Sequence, residues 1–292
     1  MANNGEFIGQ EYEVATGGAD LKRETKKSRA LKSFTTSLFS FSIFLSISAI
    51  AFTMIFYIVN IQGSSMMNSV NPTFDVNAGP AEQQRTIDHG LTNRHITPNR
   101  GDIIVVDDPR QGRYGLMIKR LIAVGGDSLR LVPDATATTT DMWGATVRRY
   151  HTQIRFAGTN EWVYLNEWYL ADEWAMYFFG ANLYEYINGR NRPYQSGEEI
   201  PFRARFVVPA QGGQPAYIAI PQGYMFYMGD NRGGADHSRF NSFTSYDSAQ
   251  AGPRPMRELQ GVVVNIMPEG ETFVQFFFRL LGEFFSFGWL FG

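Results

Sequence analysis

No cysteine occurs among the 292 residues. That excludes disulfides, thiolate metal sites and a cysteine nucleophile, and it suits a domain facing a variable redox environment. Histidine is almost as scarce. His89, His95, His151 and His237 are scattered without ligand spacing, so no metal site is expected, and no cofactor either. An excess of charge of one sign is also lacking: 26 basic against 28 acidic residues leave a net charge of −2, which offers no basic surface to nucleic acid. Long charged helical repeats are missing, whereas 29 glycines and 14 tyrosines favour a β-rich body.

One long apolar run stands out. Ser33 to Val59 carries no charge and is rich in Phe, Ile and Leu, enough helix to cross a hydrocarbon core of about 30 Å. Its serines can bond back to the preceding turn and do not forbid a span. Lys22, Arg23, Lys26, Lys27, Arg29 and Lys32 precede it, and no basic residue follows until Arg85. This asymmetry predicts a cytoplasmic N-terminus and an extracytoplasmic remainder. A cleaved signal peptide is the competing reading, with Ala49-Ile50-Ala51 as a small-x-small site, but the leader and the apolar stretch are both long for one.

Breakers and apolar runs divide the rest. Residues 75–100 read as loop with at most one short strand, broken at Gly79-Pro80, His89-Gly90 and Thr97-Pro98-Asn99. Ile103 to Val106, Leu116 to Val124, Leu129 to Val132, Tyr217 to Ile220, Tyr224 to Met228 and Gly261 to Ile266 have strand character. Ala135 to Thr140 reads as a small polar linker opening an aromatic-rich inserted module. Phe273 to Phe291 reads as an amphipathic helix lying in a membrane interface, the alternative being a terminal helix packed on the domain. The expected organisation is a basic tail over 1–32, an anchor over 33–60, a core in two halves (61–134 and 216–268) around an insert over 135–215, and a membrane-associating segment over 269–292.

Two residues carry candidate chemistry. Gly63 to Phe74, just past the apolar run, offers Ser64, Ser65 and Ser69 with no charge nearby. Lys119 sits inside an apolar run; alternation alone would turn it to solvent, whereas burial would favour the neutral amine and so a general base.

Together with three other stretches, these residues resemble the type I signal peptidases, membrane-anchored serine proteases with a Ser-Lys dyad. The resemblance covers most of residues 33–268. Gly63-Ser64-Ser65-Met66-Met67 matches the first half of the family's serine box, S-M-x-P-T with a preceding glycine. Gly101 to Val106 is similar to its G-D-I-V-V strand, and Ile118 to Asp127 to its lysine box K-R-V-I-G-x-x-G-D. Val163-Tyr164-Leu165-Asn166 is similar to a V-Y-x-N-G of the inserted domain, and Met228 to Arg239 to the G-D-N-R-x-x-S-x-D-S-R box.

The resemblance implies a mainly β fold: an N-terminal transmembrane helix, then an antiparallel, barrel-like catalytic core with an inserted β-rich domain. It implies a plasma-membrane, single-pass endopeptidase that removes signal peptides after a small-x-small motif, with Ser65 as nucleophile and Lys119 as base. Its partners would be precursor proteins, membrane lipids and the nearby export machinery. Asp230, Asn231 and Arg232 are expected to hold the loop that positions Lys119. The sequence departs from the pattern in places. Asn68-Ser69 replace Pro-Thr, a Pro-Thr pair occurs only at Pro72-Thr73, and Ala235 and His237 stand where serine and aspartate are usual. The serine box therefore has two registers, on Ser65 or on Ser69. The altered residues leave a catalytically impaired, peptide-binding relative as the alternative.

Overall fold

The uncharged run becomes one helix, α1, Thr25–Ile55. Within its portion Arg29–Ile55 an 18-residue stretch has a mean hydropathy of 2.1 and contains no buried residue, so the helix is long and apolar enough to cross a membrane. Hydroxyls that would be costly in an apolar medium turn back onto the helix: Thr35 Oγ1 donates to the Lys32 carbonyl, Ser46 Oγ to Ser42 and Thr53 Oγ1 to Ile50, at 2.8–3.0 Å. The computed structural model describes residues 25–61, 65–66, 69–70, 88–107, 115–140, 146–169, 187, 206–230, 252–268 and 270–286. The chain divides into two units, Met1–Met54 and Ile55–Gly292.

The helix stops at Ile55, short of the expected boundary at residue 60. Phe56-Tyr57-Ile58-Val59 is aromatic and β-branched, and from here the pattern has a period of two, with Val59 and Ile61 buried and Ile58 and Asn60 exposed. This is β1 (Phe56–Ile61). There follow β2 (Asp88–Asn93), β3 (Ile103–Asp107), β4 (Leu116–Val124), β5 (Ser128–Thr140), β6 (Thr146–Arg155), β7 (Val163–Tyr164), β8 (Val207–Val208), β9 (Tyr217–Ala219), β10 (Tyr224–Met228), β11 (Arg254–Pro255) and β12 (Leu259–Met267). The fold is mainly β, and these strands pair antiparallel in two sheets. A seven-stranded sheet runs β1-β2-β12-β3-β4-β10-β11, and a five-stranded sheet runs β7-β6-β5-β9-β8. One apolar core joins them: Ile122, Phe226 and Met228 of the first sheet pack with Leu129, Ile154 and Ile218 of the second.

Four local expectations need revision. His89-Gly90 does not break the chain but lies inside β2, because Gly90 sits where Val59, Ile61 and Val263 converge; a Cβ there would meet their side chains at 3.2–3.3 Å. Ala135–Thr140 is the far end of β5 rather than a linker, its β-branched threonines pairing with Thr146 to Arg148 after a register shift. Tyr217 to Ala219 belongs to the second sheet through β5 and β8, so that sheet reaches from Ser128 to Ala219. The C-terminal helix α2, Phe273–Ser286, packs one side on the domain. Phe276 is buried against Leu91 and Met267 with Leu280 beside it, while Val274, Phe277 and Phe278 stay exposed. Arg279 clamps this helix through Glu271 at 2.9 Å and the Ile266 carbonyl at 2.9 Å, and its hydrogen bonds hold the Glu271 carboxyl below the usual range. Trp289 lies outside the described residues.

The turn after β4 locks the sheets together. Asp127 is buried and accepts two hydrogen bonds from Arg100 at 2.7 Å, one from the Val124 N–H at 2.9 Å and one from the Ala157 N–H at 3.0 Å. Its backbone carbonyl accepts the Ile220 N–H at 2.9 Å. Removing the carboxylate strands two amides and an arginine at once. Asp127→Ala is therefore expected to lower stability by about 2–4 kcal/mol in denaturant unfolding of the detergent-solubilised protein. A loss of a few tenths would contradict the turn's role.

Candidate active site

Lys119 occupies the middle of β4, paired with Ile104 on β3. It is 5% exposed, so the solvent-facing reading of the alternation is not met: both faces of this strand are covered. Cross-strand partners share a face, which sets Lys119 among Ile104, Met117 and Leu121, all of one apolar cluster. Arg120, the next residue, projects to the opposite face and is equally buried.

Arg120 organises that face. Its Nε donates to Asp230 Oδ1 at 2.7 Å and its Nη2 to Oδ2 at 2.6 Å, a bidentate pair with a fully buried carboxylate. Its Nη1 donates to the Gly101 carbonyl at 2.6 Å. Its guanidinium also lies 4.2 Å from the ring centre of Tyr169, which comes from the segment after β7. Tyr169 in turn donates to Glu167, whose other oxygen accepts from Thr152 of β6.

The serine segment is fastened to the same pair. Met66 and Val70 are buried with Val105 and Ile118, and the Ser69 and Val70 N–H groups close a turn onto the Met66 carbonyl at 3.1 and 2.9 Å. Ser69 Oγ donates to Asp230 Oδ2 at 2.5 Å and accepts from Arg120 Nη2 at 2.9 Å. Its hydroxyl is thus occupied on both counts. Ser65 lies at the start of the turn, against Gly229: a Cβ on Gly229 would overlap the Ser65 carbonyl oxygen and stand 3.6 Å from Ser65 Cβ. In the β10–β4 ladder Met228, the residue before Gly229, faces Arg120, the residue after Lys119. Gly229 thus leaves room for Ser65 one residue beyond the Met228–Arg120 pair.

Asp230 was legible as a loop anchor, but its partners Arg120 and Ser69 were not. A second charge beside Lys119 in an apolar run was the available signal for Arg120, and nothing local pointed to Tyr169. Gly63, Pro72-Thr73, Asn231, Arg232, Ala235 and His237 lie outside the described residues. Among the described residues no three His, Asp or Glu side chains converge as a metal site.

The family model described as signal peptidase, peptidase S26, matches residues 33–267. The chain belongs to this signal peptidase family. Among solved structures, a signal peptidase I from Enterococcus faecalis is similar at 21% identity, covering 58% of this chain and 98% of that chain with a TM-score of 0.26. No curated protein matches. As a member of the signal peptidase family the protein is a serine peptidase acting on signal peptides, and the apolar α1 is consistent with membrane anchoring.

Two substitutions probe the site's construction. Gly229→Ala pushes the Ser65 turn away and is expected to lower precursor cleavage by about 10²-fold with the far-UV spectrum unchanged. Arg120→Ala leaves the Asp230 carboxylate buried and unpaired and is expected to cost about 3–5 kcal/mol in denaturant unfolding. Wild-type behaviour of either variant would contradict the packing described.

Proposed function

We propose that the protein is a membrane-tethered endopeptidase that cuts signal peptides after a small-x-small motif, with Ser65 as nucleophile and Lys119 as general base. The observation that supports this reading is that Ser65 packs against Gly229, which follows Met228 of β10, and Met228 pairs with Arg120, the neighbour of the buried Lys119. Lys119 is buried on β4 beside the apolar Ile104, Met117 and Leu121, and the mechanism uses its neutral amine. Ser65 is preferred to Ser69 because the Ser69 hydroxyl is engaged by Asp230 and Arg120. That engagement gives Ser69 a role at the position where threonine was expected: it ties the turn to the buried pair.

In the proposed mechanism neutral Lys119 takes the proton from Ser65 Oγ as the oxygen attacks the scissile carbonyl. The tetrahedral oxyanion is met by the Ser65 backbone N–H. Lysine then gives its proton to the departing amine, leaving an acyl-enzyme. A water deprotonated by Lys119 attacks the ester, and the protonated serine is restored. The precursor adds as an extended strand, with small side chains before the cut entering shallow pockets. The N-terminal tail lies in the cytoplasm and the catalytic domain outside the plasma membrane, near the export machinery, with the exposed apolar side of α2 resting on lipid.

Incubation with a precursor carrying a small-x-small site tests the dyad. Ser65→Ala and Lys119→Ala are each expected to reduce cleavage by about 10³-fold or more, and Ser69→Ala by about tenfold through its lost hydrogen bonds. Cleavage retained in Ser65→Ala and lost in Ser69→Ala would select the other register. A wild-type protein that binds the precursor without cutting it would favour the impaired relative. Because the chain has no cysteine, single cysteines placed in the tail and in the β domain report topology with a membrane-impermeant maleimide. In intact cells only the β-domain cysteine is expected to react.

A further inference from the structure

The second sheet holds two arginines that the peptidase chemistry does not use. In the β5–β6 ladder Arg130 faces Gln153 and Ser128 faces Arg155. Arg130 and Arg155 are therefore diagonal neighbours on one face, opposite the face on which Leu129 and Ile154 enter the core. Two like charges this close repel, and such a pair usually carries a carboxylate between them. Here neither arginine has an ion-pair partner among the described residues. Arg130 Nε donates to Gln153 Oε1 at 2.8 Å and Arg155 Nη2 to Ser128 Oγ at 3.1 Å, both neutral groups that leave the rest of each fork unused.

A wholly solvated pair would need no further account, but these two line a cavity of about 440 Å³. Trp162 forms one wall, 4.3 Å from the Arg130 guanidinium and 5.1 Å from that of Arg155, and Tyr217 stands edge-on to the indole at 5.6 Å. These rings hold the guanidiniums in place without neutralising them. The facing wall is the hairpin turn Gln211-Gly212-Gly213-Gln214. Its outer residues exchange backbone hydrogen bonds at 3.0 and 3.1 Å, and its two glycines take φ of 58° and 80°, as this tight turn demands. Gln211, Gln214 and Asn160 add amide groups, Pro215 an apolar side, and among the described residues no acidic side chain lines the space. Burial pushes the Arg130 pKa down, opposed by Tyr164 and reinforced by the Arg155 charge, as expected of a cation crowded by another.

We infer that this cavity is a binding site for a phosphate ester, gripped by the forks of Arg130 and Arg155. The chemistry selects phosphate over carboxylate. A phosphate monoester carries about −1.5 to −2 at neutral pH and presents three acceptor oxygens, which matches two fixed guanidiniums; a carboxylate would leave one of them unneutralised. The cavity is larger than the phosphate group alone, and its proline side accommodates the organic portion. Two sources share this chemistry, a soluble phosphate ester and a lipid headgroup. The site is built from the second sheet and its connecting segments and does not depend on which serine attacks.

Calorimetric titration of the full chain in neutral detergent micelles tests the inference, with glycerol 3-phosphate, short-chain phosphatidic acid and acetate as probes. Saturable binding of glycerol 3-phosphate is expected, weakened about 10- to 100-fold by Arg130→Gln and by Arg155→Gln. Tighter, arginine-dependent binding of phosphatidic acid would assign the site to a lipid headgroup, and equal affinities would assign it to a soluble ester. Arg155→Lys, which keeps the charge and loses the fork, guards against misfolding and is expected to bind several-fold more weakly than wild type. Absence of saturable binding by both phosphates, unchanged affinity in folded glutamine variants, or acetate bound as tightly as phosphate would overturn the proposal.

Discussion

The buried pair between Arg120 and Asp230 is the contact on which the candidate site depends. It joins β4 to the residues just past β10, takes in the Gly101 carbonyl ahead of β3, and holds Ser69 by both a donated and an accepted hydrogen bond. A buried ion pair contributes little net stability, since desolvation offsets most of its attraction, but it tolerates few alternative arrangements. Its consequence here is register. With Arg120 fixed on one face, the pleat commits Lys119 to the other, and with Ser69 fixed, the short turn commits Ser65 to its seat on Gly229.

The second sheet contributes to the surroundings of Arg120. Thr152, Glu167 and Tyr169 form a chain of contacts from β6 to the Arg120 guanidinium, and Asp127 fastens the end of β4 to the start of the second sheet. Strand β4 thus belongs to both cores: Lys119 lies among Ile104, Met117 and Leu121, and Ile122 packs with Leu129 and Ile154. A lysine held this way keeps one position and little contact with water, which are the conditions for an amine to act as a base.

Much of this was legible in the sequence where the signal was local. The apolar helix could be read from one uncharged run, and the runs that became β3, β4, β10 and β12 from nine residues or fewer each. What failed depended on partners distant in the chain. Gly90 looked like a breaker because Val59 and Val263, which need its missing side chain, are far away in sequence. Ala135–Thr140 looked like a linker because small polar residues form a strand only when a partner strand lies alongside. Lys119 looked solvent-exposed by alternation because a period of two cannot tell a half-covered strand from one covered on both faces. Ser69 was visible as a replacement for the box threonine or as an alternative nucleophile, but its carboxylate partner, 161 residues onward, was not.

The most direct measurement is the location of a covalent adduct. An electrophilic peptide analogue with small side chains before its reactive carbonyl, incubated with the full-length protein and mapped by mass spectrometry, should leave its acyl group on Ser65. The adduct should be lost in Lys119→Ala although that variant stays folded. An adduct on Ser69, or labelling of Ser65 that proceeds equally without Lys119, would contradict the account.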